Sequence, residues 1–160
     1  MTAGAAEDRL QDALDRAYRY LVPRERSEHE MRSHLERVGV EADTVEDAVR
    51  ALTELEYLDD ARFAAHFAHD KRELEQWGTE RIERRLTALG VDRDHVRSAL
   101  ADHDAGTELD RALELLRRRF PVPPGDRRSR DRALGALLRK GYEPDVALEA
   151  LAAHAGAEDR

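Results

Sequence analysis

The sequence predicts an all-α protein built from three tandem three-helix repeats, stacked into an elongated, curved array. Three observations carry that prediction. Gly39, Gly90 and Gly141 stand 51 residues apart, and each sits in the same local pattern. Apolar residues recur at i, i+4 and i+7, and no segment alternates with period two, so no strand is expected. Charged residues make up 39% of the 160 residues and aromatics 5%. That composition suits helices with one buried stripe and broad solvated faces, and it argues against a β-sandwich or a large ligand cavity.

The elements follow in order. Residues 1–8 are expected to be unstructured. Leu10, Leu14, Ala17 and Leu21 mark a first helix that ends before Pro23. Ser27 with Glu30 makes a capping box that starts the second helix. Met31, Leu35 and Val38 form its stripe, and Gly39 stops it as a residue free to turn left-handed. Asp43 falls at the N-cap or first turn of the third helix, where negative charge meets the helix dipole. Val45, Ala48, Val49 and Leu52 are its buried stripe. This first repeat spans 9–56.

The second repeat, 57–104, opens with a helix started by Asp59 or Asp60 and striped by Phe63, Phe67 and Leu74. Gly78 is the N-cap of its middle helix, Ile82, Leu86 and Leu89 are the stripe, and Gly90 the stop. Asp94 and Ala99–Leu100 mark its last helix. The third repeat, 107–155, begins with Leu109, Ala112, Leu113, Leu116 and Phe120, ended by Pro121. Ser129 is the expected N-cap of the next helix, Leu134, Leu137 and Leu138 its stripe and Gly141 its stop. Pro144 fits the first position of the final helix. Asp104–Thr107 and Pro121–Gly125 are the expected flexible points, and 156–160 a frayed tail. A unit near 48 residues is marginal alone, so stacking of neighbours is the expected source of stability.

Several chemistries find no support. There is no cysteine, which excludes disulfides and thiolate zinc sites. No signal peptide and no run of 18 apolar residues is present, so a soluble cytoplasmic protein is expected. No phosphate-binding loop or nucleophile elbow occurs, and two of the four serines, Ser27 and Ser129, are assigned to caps. His66 and His69, at i, i+3 with Asp70 beside them, have metal-binding spacing but no further ligand pair, and read as partly exposed histidines flanking Phe67. Trp77 is read as a packing residue. No enzyme activity, metal or cofactor is expected.

The net charge is −8 but uneven. Residues 1–106 hold 16 basic and 25 acidic side chains, whereas residues 107–145 hold 10 and 7. Overall acidity argues against strong unspecific DNA binding. Arg117–Arg119, Arg127, Arg128, Arg130, Arg132, Arg139 and Lys140 gather within the basic stretch 107–145, and Arg81, Arg84 and Arg85 form a second cluster. Arg81 and Arg132 share one repeat register, and most of these arginines should point outward. Either they are a solvated face or they form a band for phosphates or carboxylates; Arg81, Arg84, Arg85, Arg128, Arg132, Arg139 and Lys140 are the candidate partner-binding residues.

The run Tyr57-Leu58-Asp59-Asp60-Ala61-Arg62-Phe63-Ala64 resembles the signature that opens the middle repeat of the RecX regulatory proteins. Ser27-Glu28-x-Glu30-Met31-x-x-x-Leu35 resembles that family's first repeat. Trp77-Gly78-x-x-x-Ile82-x-x-x-Leu86-x-x-x-Gly90-Val91 and Arg139-Lys140-Gly141-Tyr142 resemble its middle and closing elements. Tyr57, Leu58, Asp59, Asp60, Arg62, Phe63, Gly39, Gly78, Gly90 and Gly141 would then be shared structural residues. The resemblance covers residues 10–153. It implies three three-helix repeats and a non-enzymatic regulator, most often an inhibitor, of the RecA recombinase in DNA repair, recombination and the SOS response. It implies a monomer bound in the groove of the RecA filament, touching single-stranded DNA indirectly or weakly and no membrane. A direct DNA binder with helix-turn-helix-like units is the alternative. The acidic third helix, with Glu46, Asp47 and Glu54 around Arg50, speaks against base reading.

Overall fold

The computed structural model describes residues 2–101 and 105–157, and among them every regular element is a helix. In chain order these are α1 (Ala3–Leu21), α2 (Glu28–Arg37), α3 (Ala42–Glu54), α4 (Asp60–Glu75), α5 (Thr79–Ala88), α6 (Arg93–Ala101), α7 (Ala105–Arg119), α8 (Arg127–Lys140) and α9 (Pro144–Gly156). Three helices fall in each repeat, as the 51-residue period requires.

The chain forms two compact units, one of Met1–Ala64 with Leu86–Val96, the other of Ala65–Arg85 with Arg97–Arg160. The sequence repeat and the packing unit therefore differ, because the middle repeat shares its helices between the two. In the first unit α1, α2 and α3 pack on one another. Their core is Ala13, Ala17, Met31, Leu35, Val45, Ala48, Val49, Leu52 and Leu58, with Leu10, Leu14 and Leu21 against it. In the second unit α7, α8 and α9 pack together. Ala112, Leu115, Leu116, Ala133, Leu137, Tyr142, Ala147 and Ala150 are buried among them.

The helix starts obey local chemistry. Ser27 Oγ accepts from Glu30 N at 3.1 Å while the Glu30 carboxylate accepts from Ser27 N, the expected capping box. Burial raises the Glu30 carboxyl, but hydrogen bonds from Arg24 and Ser27 and the charges of Arg24 and Arg26 outweigh it and hold the group below its ordinary range. Asp59 Oδ1 accepts from Arg62 N and caps α4. Pro144 stands in the first turn of α9. Gly39, Gly90 and Gly141 all have positive φ, +88°, +77° and +98°, as their role as helix stops demands.

Five expectations need correction. Residues 3–8 are helical, because Thr2 caps α1 through a hydrogen bond from Ala5 N and the alanine-rich start propagates the helix. Ser129 is not an N-cap. Asp126 caps α8 by accepting from Ser129 N at 2.7 Å, so α8 starts almost a turn early. Leu74 is 79% exposed, and Val38 and Leu138 lie at the surface, at 38% each; in α8 the buried places go to Ala133, Ala136 and Leu137. Of the expected flexible stretch Asp104–Thr107, residues 105–107 begin α7, and residue 104 lies outside the described residues, as do 158–160 of the expected tail. Gly156 ends α9 as a helical residue.

Candidate partner-binding surface

The candidate arginines lie on α5 and α8, and the local packing decides which of them are available. The start of α5 is seated on the end of α8. Gly78 N donates to Lys140 O at 2.7 Å and Glu80 N to Gly141 O at 3.1 Å. This approach requires the glycine: a Cβ on Gly78 would lie 2.4 Å from the Gly141 backbone. Thr79 donates its N–H and, at 2.7 Å, its hydroxyl to the buried carboxylate of Glu108. From the other side Lys140 Nζ donates to Glu75 O at 2.9 Å and the Tyr142 hydroxyl to Gln76 O at 2.9 Å. Tyr142 is fully buried, and burial pushes its hydroxyl well above the ordinary phenol range.

Arg81 is held inside this joint. Its guanidinium lies over the Trp77 ring, 4.0 Å from the centroid, and Nη1 donates to Arg139 O at 3.3 Å. The expectation of an outward-pointing Arg81 is therefore corrected, and Lys140 is likewise half-buried on Glu75 O. Register alone misled, because α5 packs its first turn on a neighbouring helix end while Arg132 lies exposed on α8. Arg84, Arg85, Arg128, Arg132 and Arg139 are exposed, as are Arg117, Arg118 and Arg119. Trp77 is a packing residue, 8% exposed and edge-on to Phe67.

The first unit repeats this joint with different side chains. Ser27 Oγ donates to Leu89 O at 2.7 Å, and Glu28 N donates to Asp60 Oδ1 at 2.9 Å. The adjacent aspartates thus divide their work: Asp59 caps its own helix and Asp60 receives the first N–H of α2. Arg62 pairs with Glu25 and donates to Glu56 O. Leu58 and Phe63 are buried, whereas Tyr57 is half-exposed, edge-on to Tyr18. Sequence reading missed Glu108 and Thr79. The signal available was the acid near the start of the first helix of the second and third repeats, Asp60 and Glu108.

Among the described residues no three His, Asp or Glu side chains converge as a metal site would need, and His69 is exposed. No described helix is long and apolar enough to cross a membrane. The α3 acids are partly matched within the protein, Glu46 to Arg32 and Asp47 to Arg50.

Comparison with known proteins decides the family. Models of the first, second and third three-helix domains of RecX match residues 13–52, 59–100 and 107–151. The chain belongs to the RecX family. The regulatory protein RecX of Leptothrix cholodnii is 35% identical over 136 residues, 85% of each chain. That of Mycobacterium ulcerans is 34% identical over 143 residues, 88% of this chain and 83% of the relative. The crystal structure of RecX from Lactobacillus salivarius superposes with a TM-score of 0.80 at 18% identity, covering 92% of this chain and 97% of that one. The run Tyr57–Ala64 lies at an inter-helix joint, its two acids accepting backbone N–H groups at the starts of α2 and α4.

Proposed function

We propose that this RecX-family chain regulates a RecA-type recombinase. It binds in the groove of the RecA filament on single-stranded DNA and blocks extension or promotes disassembly. The observation that carries this reading is the ordered match of all three RecX domains along the chain. Exposed arginines on α5 and α8, in a protein of net charge −8, supply a local positive surface for acidic side chains or phosphates of the filament. Linked repeats suit such a target, since one bound contact raises the effective concentration of the next. The protein acts as a monomer without catalysis, and contact with DNA is secondary to contact with the recombinase.

Co-sedimentation with RecA filaments assembled on single-stranded DNA tests the reading. The protein should pellet with filaments, less so as salt is raised, and stay in solution with single-stranded DNA alone. Equal pelleting with bare DNA would favour the direct DNA binder.

A further inference from the structure

Val38, Leu89 and Lys140 occupy equivalent positions, 51 residues apart, each just before a repeat glycine of positive φ. At two of the three, the backbone carbonyl is taken by the start of another helix. Leu89 O accepts from Ser27 Oγ, and Lys140 O from Gly78 N. The neighbouring glycine is covered in the same way: a Cβ on Gly90 would strike His29, and one on Gly141 would strike Arg81. The first repeat differs. A Cβ on Gly39 meets nothing within 4 Å. Val38 O accepts instead from Arg16 Nη1 at 3.1 Å. A cleft of about 190 Å³ opens there, lined by Arg9, Asp12, Arg16, Gly39, Glu41 and Thr44 among others.

We infer that the cleft at Gly39 is a docking site for the first turn of a helix on a protein partner, one carrying an acidic residue in that turn. The two filled copies show the kind of occupant, a helix start whose N–H or hydroxyl reaches the carbonyl before the glycine. Charge specifies the rest. In the filled copies an acid from a neighbouring first helix receives a first-turn N–H: Asp60 for Glu28, Glu108 for Thr79. The buried pairs Ala13/Ala17, Ala64/Ala68 and Ala112/Leu116 align these first helices, and the alignment puts Arg9 where Asp60 and Glu108 stand. With Arg16 beside it, this end calls for an Asp or Glu on the incoming turn, the residues that favour helix N-termini in any case. Arg9 pairs with exposed Glu41 and Arg16 with exposed Asp12, both at 3.2 Å, and such surface pairs exchange for a new acid at little cost. Arg16 also covers Val38 O and swings from that carbonyl to the acid as the helix start takes its place. A second copy of this chain is a poor occupant. The corresponding helix, α8, is already capped by Asp126 and starts with Arg127, Arg128 and Arg130 and no acid.

Amide chemical-shift mapping on the full chain tests this with two synthetic peptides held helical by a lactam bridge away from the first turn. One carries the sequence of residues 27–37, with Glu28 and Glu30 at its start; the other carries residues 126–137, with an arginine-rich start. The first should give saturable shifts at Val38–Glu41, Arg9 and Arg16, and the second none there. Arg9→Glu with Arg16→Glu should weaken the acidic peptide by about tenfold or more and admit the basic one. Should that variant fail to fold, Arg9→Gln with Arg16→Gln should weaken the acidic peptide alone. Absence of saturable shifts at Gly39, equal binding of both peptides, or unchanged affinity in a folded variant overturns the inference. So does concentration-dependent self-association of the wild type that protects Gly39, which would make a second copy the occupant.

Discussion

Replacing Gly78 by alanine adds one methyl group at the closest backbone approach of the α5–α8 joint. The new Cβ would lie 2.4 Å from both C and O of Gly141 and 2.5 Å from Tyr142 N. All three are backbone atoms, so no side-chain rotation relieves the clash. Ordinary contact requires the helix ends to part by roughly 1 Å. That stretches the Gly78 N to Lys140 O bond from 2.7 Å, and the Glu80 N to Gly141 O bond from 3.1 Å, beyond hydrogen-bonding range. Two lost bonds at about 1 kcal/mol each and overpacking of about 1–3 kcal/mol give about 3–5 kcal/mol. Against a typical total of about 5–15 kcal/mol, this is a large fraction. Urea unfolding followed by far-UV ellipticity should show a midpoint lowered by roughly 2 M, taking a slope of about 2 kcal/mol per M. Gly125→Ala, where a Cβ meets nothing within 4 Å, is the control and should be neutral or slightly stabilising. A Gly78→Ala midpoint within about 0.3 M of wild type would refute the close-approach reasoning.

Other outcomes follow from the same contacts. Reversing Arg84, Arg85, Arg128 and Arg132 to Glu should change stability by less than about 0.5 kcal/mol each and sharply reduce pelleting with RecA filaments; Arg81→Glu alone should lower the melting temperature, because it loses Trp77 and the Arg139 carbonyl. Tyr142→Phe should cost about 1 kcal/mol by chemical denaturation, since Gln76 O loses its buried donor. The Glu30 carboxyl is held below its ordinary range in the folded state, so its stabilisation is present above the unfolded pKa and is lost as pH falls through the folded value. Unfolding midpoints of wild type and Glu30→Gln should therefore differ at neutral pH and converge in acid.

The helices and their stops were legible because each is fixed locally. Ser27 and Glu30 lie three residues apart, and a positive φ at Gly90 follows from one position in one turn. Buried stripes were legible in outline only. Periodicity finds the apolar face of α2 but not where its neighbours end, which is why Val38 reaches the surface. Ser129 looked like a cap by register, yet Asp126 caps three residues earlier and takes the N–H of Ser129 itself, which places Ser129 inside the first turn. The joints were the least legible part. Glu108 receives Thr79 from 29 residues away, and no short spacing encodes that pairing. The arginine cluster illustrates the same limit: composition located it, but only packing separates Arg81, spent on Trp77, from Arg84 and Arg85 at the surface.

The most direct test of the regulatory role is titration of the protein into RecA on single-stranded DNA, following ATP hydrolysis and filament length together. On the proposed groove binding, in which a few molecules stop growing ends, hydrolysis should fall and filaments shorten at protein well below the RecA concentration. Unchanged hydrolysis and unchanged filament length at equal concentrations would contradict it.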